Sequence, residues 1–378
     1  MKAISLYIHI PFCRQKCLYC DFNSITFKNP EQINFYLKAL KSDIHKTLEN
    51  NRGYKIKSIY FGGGTPSLLN GNDIQGIMEQ IREYAPFQTG AEVTLEANPA
   101  TIDYEKLLLC RQSGVTRISL GVQSFNDKYL QVLGRIHSRK DALASIDLLK
   151  KAGFDSFSID LMYALPEQTL KQWHKDLDQF LALGIDHISF YDLKIEKSTP
   201  FYNIRKSLKT AGEDLQARMY TSGCEKLKEA GYIHYEISSF AKLGKQAQHN
   251  LIYWKNEEYF GVGAGAYSYE DGLRFGKQKN IKKYIKEAAL SRISRHNSEK
   301  LSLAKRLVET LVLRLRILEE GANLSKIEKQ CGRKFTGKLI QALEYLVQIG
   351  LIINKAGEYK LSHKGILCYD TVAAYLLA

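Results

Sequence analysis

The first half of the chain alternates between short apolar stretches and longer stretches in which apolar residues recur at helical spacing. The apolar stretches predict six β-strands, at Ile4–Ile10, Lys57–Phe61, Glu92–Ala97, Arg117–Gly121, Ser156–Leu161 and His187–Asp192. The intervening stretches predict helices at Gln32–Leu48, Asp73–Tyr84, Tyr104–Gln112, Lys140–Lys151 and Leu170–Leu183. Strand followed by helix, repeated along a chain, is typical of an α/β fold with a parallel sheet and crossover helices.

Within the predicted strands, polar and apolar residues alternate. Ser158 and Asp160 share one face of the fifth strand, and Ile159 lies on the other face, because successive side chains of a strand point in opposite directions. The lumen of a complete eight-stranded barrel is packed with branched apolar side chains. A polar inner face therefore predicts a wider, incompletely closed barrel, a partial (β/α)6 TIM-like fold with a cofactor inside.

From residue 301 onward the pattern changes to helices followed by a hairpin. Apolar spacing predicts helices at Leu301–Leu318, Leu324–Gln330 and Gly337–Gly350, and then strands at Leu351–Asn354 and Glu358–Leu361. The turn signal Lys355-Ala356-Gly357 between these strands predicts a hairpin. We therefore predict a barrel with its extension at residues 1–275, a basic linker at 276–300, and a winged-helix-like α+β domain at 301–378.

Composition and charge narrow the class of protein. The hydrophobic fraction of 44% and the charged fraction of 25% are ordinary for a soluble globular chain of 378 residues. The net charge is +14, and seven lysines and arginines between Lys277 and Arg295 form a cluster that marks a linker or a docking patch. A basic surface is either solvated or attracts nucleic acid, anionic lipid or an acidic partner. Seven cysteines, an odd number, do not predict a disulfide framework, and a reducing cytosol fits them best.

Three of the cysteines directly follow the first predicted strand. Cys13, Cys17 and Cys20 form a CxxxCxxC spacing, and soft thiolate sulfur selects iron–sulfur clusters or zinc. An iron–sulfur cube normally takes four cysteines, and the next cysteine, Cys110, lies in a predicted helix. The spacing fits a 4Fe–4S cluster with one iron open to another ligand, and it resembles the signature of the radical S-adenosylmethionine superfamily. A zinc site completed elsewhere and unrelated thiols are the alternatives.

Other polar residues fall at the carboxyl ends of the predicted strands, where barrels bind their ligands. They are the run Gly62-Gly63-Gly64-Thr65-Pro66, Glu96, Gln123 and Asp160. Glycines let a backbone approach a ligand closely, and carboxylates and an amide suit the amine and hydroxyl groups of a nucleoside. Arg135 adds a cation for a ligand carboxylate.

Together, six short runs are similar to the oxygen-independent coproporphyrinogen oxidase family. They are residues 7–13 (YIHIPFC), 62–67 (GGGTPS), 95–99 (LEANP), 121–125 (GVQSF), 133–135 (LGR) and 160–163 (DLMY). The resemblance extends over nearly the whole chain and implies a radical SAM barrel. It implies that Cys13, Cys17 and Cys20 bind the cluster and that Tyr19 shields it. It also implies that S-adenosylmethionine contacts Tyr7, Gly63, Gly64, Thr65, Glu96, Gln123, Arg135 and Asp160.

The family contains enzymes and haem chaperones, and three features favour the chaperones. The enzymes carry a further cysteine where this chain has Phe22, and they have an N-terminal extension where this chain has twelve residues before Cys13. Residues 249–254 (HNLIYW) are similar to the motif of the haem-binding branch. The resemblance implies a chaperone that binds haem through His249, Tyr253 and Trp254, since imidazole can bind haem iron. A structural histidine is the alternative for His249.

Two other functions remain open. The first is a coproporphyrinogen III dehydrogenase of porphyrin biosynthesis, which would use a 5′-deoxyadenosyl radical for two decarboxylations, with a radical methyltransferase as a lesser variant. The second is a nucleic-acid-binding protein, which is not favoured because the predicted helix Gly337–Gly350 has few cations.

The expected cofactors are a 4Fe–4S cluster, S-adenosylmethionine and haem, and the expected partner is a haem-acceptor protein. No stretch reaches the roughly 18 apolar residues of a membrane span, and residues 1–12 do not form a signal peptide. We therefore expect a cytoplasmic protein, with peripheral contact at the inner face of the membrane as a further expectation.

Overall fold

A large mixed sheet with flanking helices is followed by a small sheet with helices of its own, and the computed structural model describes all residues from Met1 to Ala378. The strands are β1 (Lys2–Ile10), β2 (Phe12–Cys13), β3 (Ile25–Thr26), β4 (Tyr54–Gly63), β5 (Phe87–Ala97), β6 (Arg117–Gln123), β7 (Phe157–Tyr163), β8 (His187–Asp192), β9 (Ile233–Glu236), β10 (Ser239–Ala241), β11 (Tyr259–Val262), β12 (Tyr267–Glu270), β13 (Leu273–Gly276), β14 (His296–Lys300), β15 (Ala322–Asn323), β16 (Ile352–Lys355) and β17 (Glu358–Leu361). The helices are α1 (Pro30–Glu49), α2 (Gly71–Tyr84), α3 (Tyr104–Gln112), α4 (Asp127–Val132), α5 (Arg139–Lys151), α6 (Leu170–Ala182), α7 (Pro200–Asn203), α8 (Glu213–Glu229), α9 (Gln248–Trp254), α10 (Ile281–Ala289), α11 (Leu303–Leu315), α12 (Leu324–Cys331), α13 (Gly337–Gln348), α14 (His363–Leu367) and α15 (Tyr369–Leu377), with a 3-10 turn at Pro66–Leu68.

The six predicted strands are β1, β4, β5, β6, β7 and β8, and they lie side by side in that order, all parallel. The complete sheet has the order β14-β13-β12-β11-β1-β4-β5-β6-β7-β8-β10-β9, and its two outer strands are not paired with each other. The prediction of a partial barrel is therefore confirmed. The sequence did not reveal that β11 joins β1 as a further parallel strand.

The two faces of the parallel strands differ as predicted. Apolar side chains on the outer face, such as Ile8, Leu95 and Leu120, belong to the main hydrophobic core under the helices. The opposite face is polar although it is buried, and it includes Ser58, Thr94, Ser119, Ser158 and Ser189. A polar lumen of this kind can accept a polar ligand, because its hydroxyl groups need hydrogen-bond partners.

Local signals explain why the helices begin where they do. Capping boxes open α2, α5 and α6, in which Asn70, Ser138 and Thr169 each accept a hydrogen bond from the third helical residue. This cap satisfies an amide that has no partner inside the helix. Gly114 follows α3 with a φ of +98°, a conformation that glycine adopts without strain.

The C-terminal part has its own hydrophobic cluster, formed by α11, α12, α13, α15 and the small sheet β15-β17-β16. The strands β16 and β17 form the predicted antiparallel hairpin, which confirms the winged-helix-like α+β architecture. Backbone hydrogen bonds from Ile237 to Arg316 (3.2 Å) and from Leu318 to Tyr235 (2.9 Å) attach this part to the barrel. None of the helices is both long and apolar enough to cross a membrane.

Residues 276–300, for which the sequence predicts a basic linker, contain α10 and β14. The helix α10 packs against α1, with the ring of Tyr284 fully buried 5.6 Å from that of Tyr36. The strand β14 pairs with β13 at the edge of the large sheet. The segment thus folds onto the barrel, while the domain boundaries at residues 275 and 301 stay predictions.

Replacing Asp43 by asparagine should destabilise the fold strongly. Asp43 is fully buried in α1, and its carboxylate accepts hydrogen bonds from Lys277 Nζ (2.8 Å), Tyr284 Oη (3.0 Å) and the Gly263 amide (3.0 Å). The variant leaves a buried lysine without its counter-charge, which typically costs about 3–5 kcal/mol. Urea unfolding of the cofactor-free protein measures this loss.

Glu49→Gln is the matched control for Asp43→Asn. Glu49 pairs with Arg52 at 2.7 Å on the exposed end of α1, and exposed pairs contribute less than about 1 kcal/mol. Equal stability losses in the two variants would contradict the structural role of the buried pair.

Candidate cofactor site

The carboxyl ends of the parallel strands meet around one cavity, and all but one of the residues predicted for the cluster and S-adenosylmethionine line it. They are Cys13, Cys17, Cys20, Gly63, Gly64, Thr65, Glu96, Gln123, Arg135 and Asp160. Residues from the start and the middle of the chain converge here because parallel strands end at the same edge of the sheet. Tyr7 does not line the cavity; its ring stacks 6.2 Å from that of Tyr60, and its hydroxyl contacts His9 Nδ1 at 3.0 Å.

The cysteine loop is fixed by backbone hydrogen bonds to the rest of the barrel. The Leu18 amide donates to the Leu133 carbonyl (3.1 Å), and the Leu18 carbonyl accepts from the Phe201 amide (3.0 Å). Closer to the first cysteine, the Phe27 amide donates to the Cys13 carbonyl (3.1 Å). The loop therefore has a defined conformation, although it contains only two short strands.

The environment of the three thiols suits a metal cluster. Thr65 Oγ1 lies 3.6 Å from Cys13 Sγ, and Arg135 Nη1 lies 3.5 Å from Cys17 Sγ. Donors of this kind stabilise sulfur ligands and tune iron–sulfur clusters. Burial raises the pKa of the Cys13 and Cys20 thiols, so bound metal, rather than solvent pH, would deprotonate them.

The thiols line one cavity without meeting at one point. No three His, Cys, Asp or Glu side chains are close enough to hold a single metal ion. A cluster distributes its protein ligands over several iron atoms, whereas structural zinc draws its ligands to one centre.

The glycine run after β4 brings backbone close to Glu96. The Gly63 amide donates to Glu96 Oε2 at 3.1 Å, and Tyr60 Oη donates to Glu96 Oε1 at 2.7 Å. Gly63 has a φ of +116°, and a Cβ there would lie 2.5 Å from the His9 ring. Only glycine fits this position without displacing His9, which is why the run contains it.

Two acidic side chains, Glu96 and Asp160, share the buried lumen below the cysteines. Burial raises the pKa of both carboxyl groups, and the charge of Glu96 adds to the effect on Asp160, whose pKa reaches about 7. Asp160 accepts a hydrogen bond from Ser119 Oγ at 3.2 Å. A cationic or hydroxyl-bearing ligand would favour the ionised carboxylates, since opposite charge and donated hydrogen bonds both stabilise them.

Arg135 carries a donor that the fold leaves unused. Its Nη2 donates to Asn98 Oδ1 (2.5 Å) and to the Gly121 carbonyl (2.6 Å), which fix the guanidinium. Its Nε is buried and has no partner. A buried donor without a partner is unfavourable, so a ligand acceptor in the cavity would complete the arrangement.

Two residues that the sequence did not single out position this site. Asn98 donates to Thr65 Oγ1 at 2.9 Å while it accepts from Arg135. Asp176 accepts from Ser124 Oγ (2.7 Å) and from the Phe125 amide (2.9 Å), which holds the turn after Gln123. That turn includes an unusual φ of +68° at Gln123. A carboxylate on the apolar face of α6 was the available signal for Asp176.

The predicted haem residues lie at the other end of the barrel. They are in α9, which contacts β4 and β5 and, on its other side, α11. The amide of His249 donates to Glu92 at 2.8 Å, and Glu92 precedes Glu96 by four residues of strand, or roughly 13 Å. The structure therefore does not bring His249, Tyr253 or Trp254 to the cysteines.

Both imidazole nitrogens of His249 are already engaged. Nδ1 lies 2.8 Å from Ser58 Oγ and Nε2 lies 3.0 Å from Tyr253 Oη, while the side chain is fully buried. Burial lowers the pKa of His249 to about 3. Trp254 packs instead against the Arg316 guanidinium, 4.2 Å from its ring centre. In this conformation α9 closes the lumen floor and joins it to the C-terminal part.

Comparison with known protein sequences places the chain among well-defined relatives. The sequence model of the radical SAM superfamily matches residues 7–180. The chain is 36% identical to the haem chaperone HemW of Bacillus subtilis, with 97% of each chain covered. It is 37% identical to HemW of Haemophilus influenzae over 97% of this chain and 96% of the relative. It is 39% identical to HemW of Escherichia coli over 75% and 76% of the two chains.

A solved structure has the same fold. Coproporphyrinogen III oxidase (HemN) of Escherichia coli, described as a radical SAM enzyme, superposes with a TM-score of 0.87. The match covers 99% of this chain and 90% of that chain at 23% sequence identity. This likeness shows the shared architecture and does not transfer an activity.

Proposed function

The chain belongs to the HemW family of the radical SAM superfamily, and we propose that it is a haem chaperone, which binds haem and delivers it to an acceptor protein. The observation that carries this proposal is its near full-length similarity to curated haem chaperones. Phe22 supports it, because the related enzymes have a further cysteine at this position.

Membership of the superfamily implies a 4Fe–4S cluster and S-adenosylmethionine as cofactors. In our proposal Cys13, Cys17 and Cys20 hold the cluster, and a cluster with three protein ligands offers its fourth iron to the amine and carboxylate of the nucleotide. The free Nε of Arg135 binds the ligand carboxylate. The nucleoside contacts the other predicted residues that line the cavity, which are Gly63, Gly64, Thr65, Glu96, Gln123 and Asp160. Tyr7 lies outside the cavity and packs against the ring of Tyr60.

Three exposed apolar side chains at the mouth provide a surface for a flat macrocycle. Phe22, Ile136 and Tyr191 are all exposed, and each also lines part of the lumen. Exposed aromatic and aliphatic groups around a cavity typically mark a binding site. We propose that haem packs on this rim, next to the cysteine loop.

His249, Tyr253 and Trp254 remain the proposed haem residues of α9, but this role requires a rearrangement. Haem iron can reach His249 only if α9 moves away from the lumen floor. The imidazole must then break its hydrogen bond to Ser58 or Tyr253 before it can bind the iron. Comparing His249→Ala with the unchanged protein separates the two roles. An iron ligand would shift the haem absorption maximum, whereas a structural residue would lower the melting temperature and leave the spectrum unchanged.

Anaerobic titration of the reconstituted protein with haem tests the proposed function. We expect saturation at one haem per chain, and transfer of that haem to a haem-free acceptor protein, followed by its absorption spectrum. Absence of stoichiometric binding would overturn the proposal. So would conversion of coproporphyrinogen III to protoporphyrinogen with release of 5′-deoxyadenosine, which would identify the chain as an enzyme.

The affinity for S-adenosylmethionine should depend on pH through Asp160. With a pKa of about 7 in the empty site, Asp160 is ionised above that pH and protonated below it. The ionised form accepts hydrogen bonds from ligand amine or hydroxyl groups, so binding should weaken about tenfold from pH 8 to pH 6. Isothermal titration calorimetry at several pH values measures this change.

Asp160→Asn is the control, because the amide cannot titrate. The ligand amine titrates equally with both proteins, so the difference between the two pH profiles isolates the contribution of Asp160. Parallel profiles would show that this carboxyl group does not contact the ligand.

A further inference from the structure

A second chamber lies in the lumen beneath the cofactor cavity. It has a volume of about 300 Å³, at the lower end of the range for small-molecule pockets. Glu96, Ser119 and Asp160 line both spaces, and Ala247 and Asn250 at the start of α9 line the chamber from below. Asn250 is thus the residue of the 249–254 motif that faces the lumen.

Three buried polar atoms around this chamber have no hydrogen-bond partner. They are Arg117 Nη2, His187 Nδ1 and Thr94 Oγ1, and their residues are 2%, 1% and 2% exposed and line the chamber. Native proteins rarely leave such atoms unsatisfied. Three of them around one space indicate that a polar ligand group belongs there.

The partners of Arg117 and His187 explain why these atoms point into the chamber. Arg117 Nη1 donates to Ser156 Oγ (2.8 Å) and to the Lys245 carbonyl (3.1 Å), neither of which carries a negative charge. His187 Nε2 lies 2.8 Å from Tyr235 Oη on the opposite side of its ring. These bonds fix both side chains and leave their inner nitrogen atoms free.

The charge at the chamber favours an anion of low charge. Arg117 forms no ion pair, although its charge acts on the nearby carboxyl group of Asp160. A buried guanidinium that lacks an ion pair is unfavourable, because its hydration is lost and not replaced. Above it, Glu96 and Asp160 form the boundary with the cofactor cavity. These two acids would repel a doubly charged phosphate more strongly than a singly charged carboxylate.

We propose that this chamber binds a carboxylate group, with Arg117 as its charged partner and Asn250 as a further donor from the floor. The carboxylate belongs either to a free small acid or to a propionate arm of haem, and the second source rests on the proposed function. A macrocycle on the rim formed by Phe22, Ile136 and Tyr191 would have this chamber below it, since Phe22 and Tyr191 also line the chamber.

The test titrates the reconstituted full-length chain with sodium propionate at constant ionic strength, followed by saturation-transfer difference NMR. We expect saturable binding and a rise in Kd of about tenfold in Arg117→Met, because a charge-assisted hydrogen bond is lost. Arg52→Met is the matched control, since Arg52 is exposed in the turn after α1, and it should bind as the unchanged protein does. Absence of saturable binding, or equal affinity in Arg117→Met, would overturn the proposal and leave a water-filled chamber.

Two further measurements cover the case in which Arg117→Met does not fold and test which anion the chamber binds. If near-ultraviolet circular dichroism shows that Arg117→Met is misfolded, Arg117→Gln takes its place, because it removes the charge but keeps a polar side chain, and an unchanged affinity in that variant overturns the proposal. Inorganic phosphate should bind more weakly than propionate, and tighter phosphate binding would overturn the assignment to a carboxylate.

Competition with haem identifies the source of the carboxylate. Displacement of propionate by haem, but not by haem dimethyl ester, supports the propionate arm, since only the free acid can pair with Arg117. If both haem and its dimethyl ester displace propionate, or if neither does, the assignment of the carboxylate to a haem propionate is overturned. Direct haem binding is read separately from the visible spectrum, so a failure of the proposed function is distinguished from a failure of the carboxylate site.

Discussion

Replacing any one of Cys13, Cys17 and Cys20 by serine should remove nearly all cluster iron from the anaerobically reconstituted protein. The local sequence supplies three thiols to the cavity, and the next cysteine, Cys110, is buried in α3. A 4Fe–4S cluster is normally bound by four cysteines, and this site supplies three. Losing another leaves two, and the serine hydroxyl is a harder and far less acidic donor than a thiol.

Iron content, acid-labile sulfide and the broad visible absorption of the cluster measure this loss. Cys368→Ser is the matched control, because Cys368 lies in the C-terminal part between α14 and α15 and does not line the cavity. It should keep the iron content of the unchanged protein. Full iron in a Cys17→Ser protein, or zinc as the only metal, would remove the basis for the cofactor site.

Replacing Arg135 by methionine should weaken S-adenosylmethionine binding by about tenfold or more while the iron content is largely retained. The unpaired Nε of Arg135 is the donor left for the ligand carboxylate, and a hydrogen bond to a charged group contributes about 1.5–3 kcal/mol. Methionine keeps much of the side-chain volume but has no donor. Calorimetric titration of the cluster-loaded protein measures the change in Kd.

Arg139→Met controls for the general loss of a positive charge. Arg139 is the first residue of α5, two positions after the cavity residue His137; it is exposed and donates to Gln179. Its replacement should leave the affinity unchanged. If Arg135→Met binds the nucleotide normally, the carboxylate is held elsewhere, and if it also loses its iron, the contact with Cys17 Sγ matters more than ligand binding.

The predicted haem residues of α9 show what a local sequence motif cannot establish about the surroundings of a side chain. The run from His249 to Trp254 resembles a haem-binding motif, and free imidazole is a good iron ligand. In the fold, however, His249 is enclosed between Ser58 and Tyr253, and the neighbouring Asn250 faces the lumen. Whether a histidine is free depends on partners far away in sequence, which a local run does not contain.

The segment at residues 276–300 shows a related limit. Its lysines and arginines predict a basic linker, and in the structure one of them, Lys277, pairs inside the core with Asp43, 234 positions earlier in the chain. Charge alone does not distinguish a solvated lysine from a paired one. Tyr284, between the lysines of α10, was the local sign that one face of this helix is buried.

The parallel barrel and the convergence of its cofactor residues followed from the amino-acid sequence alone. Alternation within strands, helix caps and glycine turns are local signals, and parallel order then brings every strand end to one edge. Cys13, Glu96 and Asp160 could therefore be placed together without a structure. The folded chain was needed to see that α9 closes the lumen floor, that β11 extends the sheet, and that Arg117 Nη2 faces the chamber without a hydrogen-bond partner. These features depend on hydrogen bonds and charge pairs between residues that lie far apart in the sequence. Such contacts form only when the chain has folded.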